Sequence, residues 1–142
     1  MDNTSWDNNG CLSTAAQAAA LFRAAMPKEQ REERVFVLPL DGSGHVLARP
    51  ILVSVGHEDG TTAIDAGAVF REALKVGAEE IIVAHNHPSG NLTPSREDIA
   101  ATRELKELAV RLGVEFLDHI IIGLPSLENM SGFVSLAEME CV

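Results

Sequence analysis

Between residues 80 and 113 the sequence changes its period twice, and no other feature constrains the fold as much. Residues 80 to 84 (EIIVA) have the short, apolar character of a buried strand. The segment HNHPSGNLTP that follows carries Pro88, Gly90 and Pro94, which forbid regular structure. From Ser95 the apolar residues Ile99, Leu105, Leu108 and Leu112 recur at helical spacing, and Gly113 stands past their end as a stop. Two histidines therefore sit where a strand becomes a loop, just ahead of a helix.

The flanking sequence continues the alternation. Residues 13 to 26 are dominated by Ala, with Leu21, Phe22 and Met26 on neighbouring turns, and read as a helix stopped by Pro27. The charged residues 28 to 34 link it to the body. Residues 35 to 40, the turn Asp41-Gly-Ser-Gly44 and residues 46 to 55 read as a hairpin. Pro39 has no amide proton for a ladder, so an edge or irregularity is expected there. Asp65 caps a helix with Val69, Phe70, Ala73 and Leu74 on one face and Gly77 behind it. Residues 114 to 122 return as a strand, and residues 132 to 136 add another. Strands covered by helices give an α/β or mixed sandwich.

A chain of 142 residues that is 46% hydrophobic is the size of one domain with a core of its own. Its net charge of −10 supplies no general field for phosphate, which argues against direct nucleic-acid binding. The longest apolar runs fall far short of the roughly 20 residues that span a bilayer, so no membrane is expected. Residues 1 to 12 are polar and without period, as in a loose tail, and their acidic start lacks a secretory pattern, which points to the cytoplasm. Cys11 and Cys141 lie far apart with no metal-spaced partner and read as bystanders.

The chemistry concentrates in His85-Asn-His-Pro-Ser-Gly-Asn-Leu-Thr-Pro-Ser-Arg-Glu-Asp98. Residues two apart in an extended segment project to one side, so His85 and His87 can present their imidazoles to one point. Asp98, in the first turn of the next helix, can reach back as an anionic third ligand. Two His and one carboxylate suit Zn²⁺ with the fourth position left open, an arrangement of catalytic sites. The plainer reading of Ser95 and Asp98 is a helix cap. A lone His-x-His is a weak signal, and the strand-loop-helix frame around it is what strengthens the metal reading. His45 and His57 fall in turn and loop and receive no role.

This segment resembles the JAMM motif of the JAB/MPN metalloprotease fold: His-x-His, ten residues, then Asp, with a Ser three residues before the Asp. Its flanks, VAHNHPSGNLTPSREDIAAT and LGVEFLDHIIIG, are similar to the RadC-like branch, and the likeness runs from about Glu33 onward. The resemblance implies an α+β fold, a JAB/MPN-like mixed β-sheet with flanking helices in cytidine-deaminase-like layering. With the composition of the N-terminal segment, the chain reads as a tail (1 to 12), an N-terminal helix (13 to 30) and the domain proper (31 to 142). It implies His85, His87 and Asp98 as zinc ligands and Ser95 as a partner of the developing oxyanion. Matching residues 38 to 41 to the family places the general base at Glu33, with Glu32 its close rival. The alternative is that Glu29, Glu32 and Glu33 with Lys28, Arg31 and Arg34 form a solvated charged stretch. Asp118-His119 resembles the family's pair on the corresponding strand. Either side chain can orient a ligand by hydrogen bonding, and a satisfied buried pair is the alternative.

On this resemblance the chain is expected to be a cytoplasmic zinc metallopeptidase or isopeptidase acting on a protein or peptide. Glu33 would take a proton from metal-activated water and return it to the leaving amine. The competing class is a non-catalytic RadC-like binding module of a DNA-repair or mobile-element complex. In that reading the small apolar face of the Ala-rich helix offers a surface for an oligomer or protein partner. A zinc deaminase would need a Cys pair that the sequence lacks. Two departures from the family stand out. RadC-like chains usually carry a helix-hairpin-helix module ahead of the domain, where this sequence has only a tail and one helix. A common His-Pro-Arg-Glu helix start is replaced by Asp65-Ala-Gly-Ala68, which bears on substrate contacts and not on the metal ligands.

Overall fold

The structure of the chain is a computed structural model that describes residues 11–28, 31–56 and 64–139. The elements run α1 (Ala15–Ala25), β1 (Arg34–Leu40), β2 (Ile51–Val55), α2 (Ala66–Lys75), β3 (Glu80–Asn86), α3 (Arg96–Leu112), β4 (Glu115–Ile122) and β5 (Phe133–Ser135). The strands form one mixed sheet in the order β2-β1-β3-β4-β5. Only β3 and β4 are parallel neighbours, and α3 supplies the long crossover that parallel strands require.

Strand alternation divides the sheet into two faces. On one, Phe36, Leu38, Ile82, Ala84, Ile120 and Ile122 pack against Ala18, Ala19, Leu21 and Phe22 of α1. On the other, Val35, Val37, Ile81 and Val83 meet Val69, Phe70 and Ala73 of α2 and Leu105 and Ala109 of α3. Helices cover both faces of β1 and β3, which is why those strands read as unbroken apolar runs. The result is the mixed α/β, JAB/MPN-like architecture that the resemblance implies. None of its described helices is long and apolar enough to cross a membrane.

Local chemistry sets the helix boundaries. Thr14 and Gln17 form a capping box for α1, Asp65 accepts from the Ala68 amide at α2, and Ser95 and Asp98 form a second capping box at α3. Gly113 ends α3 at φ +71°, a left-handed position where a side chain would be strained. Pro39 lies in β1 opposite Ile81 of β3. Its carbonyl accepts from Leu47 on the other side, beyond the point where pairing with β2 stops at Val37, so its missing amide proton costs the sheet nothing.

The structure departs from expectation in four places. The returning hairpin strand begins at Ile51 and not at residue 46: Val46 makes only an isolated bridge to Leu40, and Pro50 interrupts the ladder. Strand β3 runs to Asn86, because His85 pairs with both Val35 and Ile121, so His85 lies within the strand and His87 just beyond it. Leu74 and Leu112, expected on core faces, are 44% and 43% exposed at the C-terminal ends of their helices. The buried stripe of α3 is Asp98, Thr102, Leu105 and Ala109, so its first two positions are polar. Of the expected tail, residues 1 to 10 lie outside the described residues, as do Glu29, His57 and Cys141. Cys11 and Leu12 are tied to the hairpin, Cys11 by a bridge to His45 and Leu12 by its amide on the Gly44 carbonyl.

Candidate metal centre

Because β3 and β4 are parallel, their C-terminal ends lie at one edge of the sheet, and the N-terminus of α3 returns to that edge. His85 faces the side of the sheet that α2 and α3 cover, in register with the run Ile81, Val83. His87 follows the strand, its amide bonded to the Ile122 carbonyl. The loop is held close to β4: a Cβ placed on Gly123 would lie 2.7 Å from Leu92 Cδ2, so a larger residue there would displace the Leu92 side chain.

The side chains converge. His85 Nε2 lies 2.9 Å from His87 Nε2. Asp98 brings Oδ1 to 3.2 Å from His85 Nε2 and Oδ2 to 3.2 Å from His87 Nε2. Glu33 Oε1 lies 3.6 Å from His85 Nε2, and Glu33, His85 and His87 can together hold an ion. Glu32 instead pairs with Arg34 at 3.6 Å, so of the two rivals it is Glu33 that faces the cluster.

Hydrogen bonds beyond the cluster aim each of these groups. The Asn91 carbonyl, an obligate acceptor, lies 2.6 Å from His87 Nδ1, which places a proton there and, in the neutral ring, leaves Nε2 as a lone pair toward the cluster. The Ser95 amide donates to Asp98 Oδ2 at 2.8 Å, while the Ser95 hydroxyl oxygen accepts from the Asp98 amide at 3.0 Å. Ser95 thus acts in this geometry as the cap and as a clamp on the carboxylate. Asn86, buried between the two histidines, accepts from the Arg34 amide at 2.7 Å and donates to the Glu32 carbonyl at 3.0 Å. It brackets the backbone of Glu33, whose carbonyl also accepts from the Gly56 amide at 2.7 Å. Neither Asn86 nor Thr102 is singled out by the sequence, since their partners depend on strand register and helix facing. The only signals are Asn86's place inside His-x-His and Thr102's place one turn after Asp98.

The Asp-His pair on β4 divides between the two faces of the sheet. His119, fully buried, puts Nε2 2.7 Å from His85 Nδ1 and Nδ1 2.6 Å from Thr102 Oγ1. Asp118 accepts from the His119 and Ala137 amides and from the Ser135 hydroxyl. His45 pairs with Asp41 in the hairpin turn, apart from the cluster.

Electrostatics follow from burial and these contacts. Burial pushes the Glu33 carboxyl upward against the opposing pull of His85 and His87. Burial also opposes ionisation of Asp98, but hydrogen bonds and charge from His85 and His87 in their protonated forms outweigh it and hold the carboxyl well below the usual range. For His87, burial disfavours the charged form, and hydrogen bonding to Asp98 and Asn91 more than offsets it, for a net upward shift. Burial, reinforced by His85, holds His119 well below its ordinary value.

These donors fit a divalent cation. Two imidazole nitrogens and two carboxylates brought this close repel one another unless protons or a cation lie among them. The 2.9 Å between the Nε2 atoms is close to the about 3.3 Å between two nitrogens on one tetrahedral ion at Zn–N of about 2.05 Å. Glu33, His85 and His87 could hold such an ion, with the Asp98 carboxylate against both imidazoles.

Comparison with known proteins gives the family of the chain. Residues 12–141 match the model of the RadC-like JAB domain. The UPF0758 protein of Nostoc sp. is 43% identical over 124 residues, 87% of this chain and 49% of that protein. The UPF0758 proteins of Carboxydothermus hydrogenoformans and of Clostridium perfringens are 43% and 39% identical over 94 and 110 residues, covering 66% and 78% of this chain. The chain spans less than half the length of these relatives, 41% to 49%. With the family model covering nearly its whole length, the chain belongs to the RadC-like JAB domain family.

Proposed function

We propose that the chain is a zinc-dependent hydrolase of the JAMM type that cuts an amide or isopeptide bond in a protein or peptide. What supports this reading most is the convergence of His85 Nε2, His87 Nε2 and the Asp98 carboxylate, with Glu33 beside them. Bound there, the ion would supply Lewis acidity, bringing water toward a pKa of about 7 and polarising a carbonyl.

The chain's own residues account for the rest. His85, His87 and Asp98 would hold the ion, the last fixed by the Ser95 amide. Glu33 is half-buried, and its carboxyl is raised by that burial, which makes it a stronger base than a solvated glutamate. It takes the proton from the attacking water and delivers it to the departing amine. Ser95 offers its hydroxyl proton to the developing oxyanion, because among the described residues its hydroxyl oxygen is engaged only as an acceptor from Asp98.

The test is Glu33→Gln in the full chain, assayed on peptide and isopeptide conjugates alongside zinc content. The variant is expected to keep its zinc and lose about 10²–10⁴-fold in turnover, the usual loss for a general base. Undiminished turnover would reject the assignment.

A further inference from the structure

We propose that Thr102 and His119 form a hydrogen-bond relay that holds the proton of His85 on Nδ1, so that its Nε2 lone pair faces the metal centre. The inference rests on the hydrolase reading for its purpose and on local geometry for its content.

The direction of each bond follows from the one before. The Asp98 backbone carbonyl can only accept, and Thr102 Oγ1 lies 2.8 Å from it. Two oxygens approach that closely when a hydrogen lies between them, so the single hydroxyl proton of Thr102 is committed there. Toward His119 the hydroxyl has only lone pairs, and at 2.6 Å from Nδ1 it must accept, which puts a proton on His119 Nδ1. The ring of His119 is fully buried and among the described residues its nitrogens meet only Thr102 and His85, so a second proton would be an unpaired charge in the core. His119 Nε2 is therefore a lone pair, and His85 Nδ1, 2.7 Å away, must donate to it. Thr102 lies on the helix that carries Asp98, so one hydroxyl links the setting of two ligands from different elements. Both residues are positioning residues.

The opposite polarity is the instructive alternative. It would turn the Thr102 proton toward His119, leave two acceptor oxygens facing at 2.8 Å, and place the His85 proton on Nε2, where it blocks coordination. Thr102→Val imposes that outcome: the buried Nδ1–H of His119 loses its acceptor, and the ring relieves this by moving its proton to Nε2. Thr102→Ser keeps the hydroxyl.

Long-range proton–nitrogen correlation spectra of the imidazoles, recorded on the metal-free full chain, read the relay directly. Native protein and Thr102→Ser are expected to carry protons on Nδ1 of both His85 and His119, and Thr102→Val to lose both. Competition titrations with Zn²⁺ are expected to show 10–100-fold weaker binding for Thr102→Val and native binding for Thr102→Ser. A native chain lacking the His85 Nδ1 proton would overturn the relay, as would a folded Thr102→Val protein that keeps both protons and binds zinc as the native chain does. Should Thr102→Val fail to fold, the native spectrum alone decides. If the spectra agree and native protein takes up no zinc, the relay stands and the hydrolase reading falls.

Discussion

Asp98 and Asp118 are both aspartates with 8% of their surface exposed, and both lie near a histidine, yet the structure uses them in opposite ways. Asp118 is surrounded by groups the fold commits to donating: the His119 and Ala137 amides at 2.7 and 3.0 Å, and the Ser135 hydroxyl, whose oxygen accepts in turn from the Glu138 amide. Its charge is fully answered by the fold, and it staples β5 and the segment after it to β4. Asp98 receives one such amide, from Ser95, and otherwise faces imidazole nitrogens that can accept as readily as donate. A buried carboxylate among fixed donors is structural, whereas one among groups that can each lose a proton has capacity left for a ligand.

The sharpest way to break this comparison is to remove each charge without removing the side chain. Asp98→Asn is expected to abolish zinc uptake while the fold survives, since the amide can still accept from Ser95. Asp118→Asn is expected to keep zinc and to lose about 2–3 kcal/mol of stability, because an NH₂ group then faces donors. Thermal unfolding would show this as a drop of about 6–10 °C in Tm. If Asp118→Asn lost zinc and Asp98→Asn lost stability, the division of labour would be wrong. Ser95→Ala comes next in size. Loss of the cap costs about 1 kcal/mol, and turnover should fall further than that destabilisation explains, which kinetics on folded protein would separate.

Asp41 offers the smallest effect and a control far from the cluster. Backbone hydrogen bonds from His45 and Ser43 lower its carboxyl. A carboxylate with a lowered folded-state pKa adds stability above its unfolded value and loses it as pH falls through the folded value. Asp41→Asn should therefore be slightly less stable than the native chain at neutral pH and converge with it in acid. Denaturant unfolding across that range checks the sign, and a gap that widened in acid would contradict it.

How much of this was readable from the sequence depended on whether a residue's partner was local. His85, His87, Asp98 and Ser95 lie within one short segment whose spacing and turn residues bring them together, and the structure places them together. Glu33 is distant in sequence but meets His85 because β1 and β3 pair, Val35 opposite His85, and only the family resemblance pointed to it. Asn86 and Thr102 gave only the signal of their positions beside the ligands, inside His-x-His and one turn after Asp98. A hydrophobic-period reading of α3 counts apolar residues and so misses a buried stripe that begins with Asp98 and Thr102. The Asp118-His119 pair was visible but not divisible. Neighbours in a strand point to opposite faces, so only the sheet reveals that His119 serves His85 while Asp118 serves β5.

The central claim is that two imidazoles and a carboxylate form a site for one divalent ion. Elemental analysis of protein purified without added metal, comparing the native chain with the His85→Ala, His87→Ala double variant, tests it most directly. One equivalent of zinc in the native chain and none in the variant is the expected result. Equal zinc in both, or a native chain that stays empty even after incubation with excess Zn²⁺, would contradict it.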